Sequence, residues 1–177
     1  MTAEDVKKLL GLQPHPREGG WYVRTYESAE FVSTAAFADG RYAGERRTGT
    51  AIYYLLEKGT FSEMHRLKSD EVFHFYAGDP VEMLQLREGK EGRVVVIGND
   101  LVRGHRPQAT VERGVWQGTR LIEGGDWALL GCSVSPGFEF EDYESGTREQ
   151  LCEEWPTFSE QIVALTHVTS PSGEGLR

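Results

Sequence analysis

Cysteine is scarce: Cys132 and Cys152 are the only two in 177 residues, far apart and outside any C-x-x-C spacing. That excludes a disulfide framework and a clustered-thiolate zinc site, and both thiols are expected to be reduced and packed. A nucleophilic Cys–His pair is left open by the sequence. Positive charge is also short, with 19 Lys and Arg against 28 Asp and Glu and a formal net charge of −9. Nucleic-acid binding depends on clustered cations that neutralise phosphates, and no basic stripe is present. Long apolar runs are missing too; no window approaches the roughly 18 residues of a membrane helix. The start "MTAEDVKKLLGL" lacks the basic opening and apolar core of a signal peptide. The expectation is a cytoplasmic protein with neither a membrane nor a nucleic-acid partner.

Extended helical patterns are absent between the apolar segments, which excludes a parallel α/β sheet. What is there instead is a series of short runs rich in aromatic and β-branched residues, split by Gly, Asp and Pro. Strands are expected at 21–26, 50–56, 61–66, 71–77, 82–86, 93–97, 108–111, 116–122 and 127–134. Such a pattern predicts an all-β sandwich or barrel. Thr2, followed three residues later by Asp5 and then by Val6, Leu9 and Leu10, predicts a capped helix over 2–11. "TREQLCEEW" and "TFSEQIVALTH" have helical character, whereas "SPSGEGLR" reads as a frayed tail. The whole length, 1–177, fits one domain: the helix, a barrel over about 20–140 and a helical segment over about 146–167.

One stretch carries chemical information. In "GTFSEMHRLKSDEVFHFYAG" the spacing is Gly59, His65, Leu67, Glu71 and Gly78. It resembles the first motif of the cupin superfamily, G-x5-H-x-H-x3-E-x6-G, with every spacing kept and Leu67 in place of the second histidine. The second cupin motif, P-x-G-x2-H-x3-N, is matched weakly by "ERGVWQGTRL", where Glu112, Gly114, Gln117 and Leu121 take the positions of Pro, Gly, His and Asn. Five stretches in order, two of them overlapping these motifs, "LQPHPREGGWYVRTY", "TAIYYLL", "HRLKSDEVFHFYAGDP", "RPQATVERGVWQ" and "VSPGFEFEDYE", are similar to one cupin subfamily and span residues 12–144. The resemblance implies a double-stranded β-helix, or jelly-roll barrel, usually a homodimer. It implies little about a reaction.

In metal-binding cupins two histidines and the glutamate of the first motif, with a histidine of the second, surround a divalent ion. Here residues two apart on a strand share a face, so Leu67 places methyl groups beside His65 where a ligand nitrogen would be. His74 lies three residues beyond Glu71 and would need a bulge to join it. If a metal is present, its ligands are expected to be His65, Glu71 and Gln117, a weak set; the expectation is no tightly bound cofactor. His65 and Glu71 are then candidate catalytic residues for proton transfer. Gln117, Phe73, Phe75, His74 and Trp116 are candidate ligand-binding residues, because an aromatic-lined pocket with few polar groups suits a small organic molecule.

The favoured reading is a barrel that binds a small polar, possibly sugar-derived, ligand with epimerase- or isomerase-type chemistry, by analogy of fold to metal-free sugar-nucleotide epimerases. The alternatives are a metal-dependent cupin enzyme with an atypical ligand set, or a pocket without catalysis that serves sensing or storage. Among the remaining groups, His15 reads as a turn residue, Arg24 and Arg66 as solvent-facing or anion-pairing, and "EFEDYE" as solvated acidic surface.

Overall fold

Alternation of apolar and polar side chains dictates the architecture, because a strand with one apolar face must bury that face against another sheet. The computed structural model describes residues 1–37, 39–89 and 91–167. Its strands are β1 (Gln13–Pro14), β2 (Trp21–Glu27), β3 (Phe31–Val32), β4 (Arg46–Arg47), β5 (Thr50–Glu57), β6 (Phe61–Leu67), β7 (Asp70–Gly78), β8 (Val81–Leu86), β9 (Arg93–Ile97), β10 (Gln108–Val111), β11 (Trp116–Leu121), β12 (Trp127–Ser135) and β13 (Tyr143–Ser145). The helices are α1 (Ala3–Leu10), α2 (Arg148–Glu154) and α3 (Ser159–Ala164). Each strand expected from the sequence is present. The unexpected β1, β3, β4 and β13 span only two or three residues, too few to show a period. The tail "SPSGEGLR" lies outside the described residues.

A six-stranded sheet, β1-β2-β5-β12-β7-β10, faces a five-stranded sheet, β13-β6-β11-β8-β9. Strand β12 shows how the faces are assigned. Ala128, Leu130, Cys132 and Val134 point inward opposite Leu56, Tyr54, Ile52 and Thr50 of β5. The intervening Trp127 and Leu129 point outward. Inside, Tyr54, Phe73, Met83, Ile97, Ala109, Val111 and Leu130 fill one end of the barrel. This is a jelly-roll barrel whose two outer faces are partly covered by helices.

Helix α1 starts with a capping box: Asp5 N–H donates to Thr2 Oγ1 at 3.2 Å, and Thr2 N–H donates to the Asp5 carboxylate at 2.8 Å. It ends at Gly11, which adopts the left-handed conformation. Val6 is its buried residue and packs with Leu12, Trp21, Leu55 and Leu129 on the outer face of the larger sheet. Burying one such side chain contributes about 1.5–3 kcal/mol. At the other end of the chain, Leu151, Trp155, Ile162 and Leu165 cover the outer face of the smaller sheet, meeting Met64, Leu84, Leu86 and Trp116. Pro156 interrupts the helical pattern there with a turn of 3₁₀ helix over Pro156–Phe158, because proline cannot supply the amide of a continuous α-helix.

Two local features place residues at the unfilled end of the barrel. The β1–β2 turn packs against β6, with Glu63 N–H donating to Glu18 O at 2.8 Å. Gly19 adopts φ +94, and a Cβ there would come within 2.3 Å of Phe61 O, so only glycine permits the approach. Second, the pairing of β11 with β6 shifts between Gln117 and Thr119, matching Gln117 to His65 but Thr119 to Ser62. This bulge turns both Ser62 and His65 inward although they are three residues apart.

Candidate active site

The unfilled end of the barrel is a narrow pocket with about 470 Å³ of space outside the atoms, mouth included. Polar side chains in its lining include His15 and Glu18 from the β1–β2 turn, Arg24 from β2, Thr50 from β5, His65 from β6, Glu71 from β7 and Cys132 from β12. Val134, Phe138, Phe140 and Tyr143 contribute the apolar rim.

His65 is 1% exposed, with its ring stacked on Tyr143 at 4.7 Å between centroids and 15° between planes. Its Nδ1 lies 2.7 Å from Glu63 O. A carbonyl oxygen only accepts, so Nδ1 carries the hydrogen and Nε2 presents a lone pair. The Gln117 carboxamide completes the arrangement: Nε2 donates to Glu71 Oε2 at 2.6 Å and faces His65 Nε2 at 3.4 Å. His65 and Glu71 are therefore joined through Gln117, and the histidine tautomer is set by the Glu63 carbonyl. Gln117 Oε1 is buried without a hydrogen-bond partner among the described residues.

Burial pushes the Glu71 carboxyl up to about 8, and the nearby Glu18 carboxylate adds to the effect; hydrogen bonds from Gln117 and Cys132 oppose it. At neutral pH Glu71 is thus mostly a carboxylic acid. Burial and the same two glutamates raise the Cys132 thiol well above its usual range, which makes it an inert packed thiol and not a nucleophile. Tyr143 is likewise raised by burial, then by Glu18 and Glu63; its hydroxyl donates to Glu63 Oε1 at 2.9 Å.

A divalent ion does not fit these groups. Leu67 lines the pocket where a second imidazole would be needed, and the 2.6 Å contact between Gln117 and Glu71 closes the space between two of the three remaining donors. Among the described residues no three His, Cys, Asp or Glu side chains converge as metal ligands.

Of the residues expected at the site, His65, Glu71 and Gln117 come together, but only His65 and Glu71 line the pocket; Gln117 bridges them outside its lining. Phe73, Phe75, His74 and Trp116 do not line the pocket. Phe73 is buried in the apolar end of the barrel, with Phe75 packed against it; both share the face of Glu71, but each step of two residues carries the strand farther from the mouth. Trp116 points to the opposite face of β11, under α2 and α3, with Arg66 stacked on its ring at 4.4 Å. His74 is on the outer face of β7, 3.3 Å from Gln108 Nε2 and stacked on Tyr76. The bulge in β7 falls between Phe75 and Ala77, past His74, and so does not turn it inward.

Periodicity gave no signal for His15, Glu18 and Tyr143. The stretches holding them, "LQPHPREGGWYVRTY" and "VSPGFEFEDYE", do stand out in the resemblance. The second is also not plain solvated surface. Asp142 is 3% exposed and takes two hydrogen bonds from the buried Arg46 guanidinium, at 2.8 Å and 2.9 Å. This pair, with a further contact from Arg46 to Glu141, holds the segment carrying Phe138, Phe140 and Tyr143 over the pocket.

A jelly roll with an inward histidine and glutamate at the first-motif spacing defines the cupin class, from which the chain departs where Gln117 replaces the second-motif histidine. Residues 4–146 match the family described as Cupin superfamily (DUF985), and the chain belongs to that family. A crystallographically determined Shewanella oneidensis protein is 34% identical, with a TM-score of 0.81 over 94% of this chain and 98% of its own. A hypothetical protein from Leishmania major is 33% identical, with a TM-score of 0.84 over 95% of this chain and 100% of its own. Oxalate decarboxylase from Bacillus subtilis is similar in fold alone, at 14% identity and a TM-score of 0.51 over 93% of this chain and 44% of its own. Curated proteins yield no match. No helix among the described residues is long and apolar enough to cross a membrane.

Proposed function

We propose that the pocket binds a small polar organic ligand, of sugar-derived type, without a tightly held metal, and that His65 and Glu71 exchange protons with it in an epimerase- or isomerase-type reaction. The observation that carries this reading is the buried His65–Gln117–Glu71 arrangement at the pocket wall. It offers the ring nitrogen that the Glu63 carbonyl leaves on His65 as an acceptor, joined through Gln117 to a Glu71 carboxyl that burial keeps un-ionised. Leu67 beside them favours a metal-free site.

Elemental analysis with native mass spectrometry on untagged, chelator-free protein tests the reading. The expected result is less than stoichiometric iron, manganese, zinc or nickel. A stoichiometric metal that Glu71→Ala removes would overturn the metal-free reading. His65→Ala and Glu71→Gln then divide catalysis from sensing: folded variants that bind a retained ligand but no longer turn it over support an enzyme, and variants that only bind it more weakly support a sensor.

A second copy of the chain is the proposed partner, in the cytoplasm. On the outer face of the larger sheet, beyond α1, lie Tyr26, Ala51, Tyr53, Val72, His74, Tyr76 and Ser133. None carries a formal negative or lysine/arginine charge in a chain of net −9, and Tyr26 and Tyr76 are more than half exposed. Two like-charged copies meet most easily where charge is absent. A monomeric mass in light scattering at working concentration would sink this proposal.

A further inference from the structure

The pocket holds a second histidine with the reverse hydrogen-bonding polarity. His15 Nδ1 accepts the backbone N–H of Glu18 at 2.8 Å and, more weakly, that of Arg17 at 3.4 Å. An amide N–H only donates, so Nδ1 must be bare and the hydrogen must sit on Nε2. The nearest carboxylate oxygen to that nitrogen, Glu18 Oε2, is 3.8 Å away, beyond hydrogen-bond reach. Glu18 itself is held elsewhere, by Ser62 Oγ at 2.5 Å on its other oxygen. The turn thus fixes His15 as a donor with its hydrogen uncommitted, while Glu63 O fixes His65 as an acceptor. The two rings reach the same pocket from different sheets.

We propose that His15 Nε2–H is the second ligand-contacting group of this site: it donates a hydrogen bond to a carbonyl oxygen of the ligand while the His65 Nε2 lone pair, which without ligand meets only the long 3.4 Å contact from the Gln117 carboxamide, exchanges that contact for the carbon next to the carbonyl. The ligand class is then a small neutral ketone or aldehyde with an acidic C–H beside the carbonyl, as in a short keto sugar. This deepens the pocket reading above and rests on it. In the step, His65 Nε2 takes the proton from that carbon, and the C–H electron pair moves into a carbon–carbon double bond. The carbonyl oxygen gains the negative charge and takes the hydrogen bond from His15. A proton given to the other face of that carbon by the Glu71 carboxyl restores the carbonyl with inverted configuration; the proton on His65 and the charge on Glu71 then re-equilibrate with solvent, and nothing is oxidised or reduced.

Protonating His15 on Nδ1 would set two N–H groups against each other and break the turn. Burial acts in the same direction and lowers the ring below the ordinary histidine range; His65 adds to this, whereas Glu18 and Glu63 oppose it. His15 is thereby kept as a neutral imidazole, which polarises a carbonyl without giving up its proton, the pattern known for a neutral histidine electrophile in triosephosphate isomerase.

The test is imidazole ¹⁵N NMR on the full chain, first alone and then titrated with dihydroxyacetone as the probe. Expected are a hydrogen on Nε2 of His15 and on Nδ1 of His65, and one saturable isotherm that shifts both Nε2 resonances. His15→Phe should weaken that isotherm roughly tenfold, the scale of one lost hydrogen bond. His15→Gln, which keeps a carbonyl for the turn and an N–H for the ligand, should stay nearer the parent; thermal melts of both variants separate misfolding from lost contact. A hydrogen on His15 Nδ1, or an imidazolium at neutral pH, overturns the inference. A saturable shift of His65 and Gln117 that leaves His15 still overturns it alone, and no saturable shift anywhere in the pocket overturns the ligand-pocket reading with it.

Discussion

The two ends of this barrel are built by the same strands and hold opposite contents. On β7 the inward residues run Glu71, Phe73, Phe75; on β12 they run Val134, Cys132, Leu130 toward the apolar end. At one end Phe73, Met83, Ile97 and Leu130 leave little space, and their close packing gives the strands a rigid base. At the other end His65 and Glu71 line a pocket, and the buried Gln117 bridges them outside its lining. A step of two residues along one strand thus separates a group that stabilises from a group that costs stability. The apolar end offsets the burial of polar groups at the mouth, as is common for functional sites.

The largest effects are expected where that division is broken outright. Phe73→Ala empties the apolar end and should cost about 3–5 kcal/mol in urea unfolding. A loss below about 1 kcal/mol would mean that the packed end does not carry the stability assigned to it. Arg46→Ala leaves the buried Asp142 carboxylate without its guanidinium partner and should cost about 3–5 kcal/mol. Because the same pair holds the segment with Phe138, Phe140 and Tyr143, proteolysis should then cut within residues 136–143 while the apolar end stays protected from hydrogen exchange. Uniform loss of protection would show instead that the two ends unfold as one unit.

The polar end has a pH signature of its own. Glu71 binds its proton more tightly in the folded chain, where burial raises it from 4.5 to about 8, than in the unfolded chain. Its contribution to stability is therefore fully present below the unfolded value, falls as pH rises through that window, and is lost above about 8. At roughly 1.4 kcal/mol per pH unit, the loss amounts to a few kcal/mol. Glu71→Gln removes the titrating group, so the slope between those values should flatten and the variant should be the more stable form at pH 8.5. An unchanged slope would place the Glu71 carboxyl in a solvated setting. The smallest effect belongs outside both ends: His74→Ala on the outer face of β7 should change monomer stability by less than about 0.5 kcal/mol and leave dihydroxyacetone binding intact, as read by the same NMR titration. Lost binding would bring His74 back into the site.

Much of the fold was legible because alternation is a local property. In β12, Ala128, Leu130, Cys132 and Val134 mark the inward face whatever the register, and the turn residues between runs mark where strands end. The histidine and glutamate of the first motif were legible for the same reason, since His65 and Leu67 must share a face. Depth was not. Phe73 and Phe75 share the face of Glu71, yet which end of a strand meets the pocket depends on the covering strands. Trp116 and Gln117 are adjacent and point to opposite sides of the smaller sheet, so nearness in sequence to a site residue was misleading. The acidic run at 139–144 hid a buried partner for Arg46, a contact across 96 positions of chain that no local pattern encodes.

By itself the sequence determined the strands, the single barrel, the family and the pairing of one imidazole with one carboxyl on inward faces, because each of these follows from short-range spacing. Only the tertiary structure decided what those groups are chemically. The neutral state of Glu71 arises from burial and from Glu18, which lies on the β1–β2 turn, far away in sequence. The opposite hydrogen placements on His15 and His65 come from which backbone group meets each ring nitrogen. Ionisation and tautomer are set by neighbours in space, and those neighbours exist only once the chain has closed.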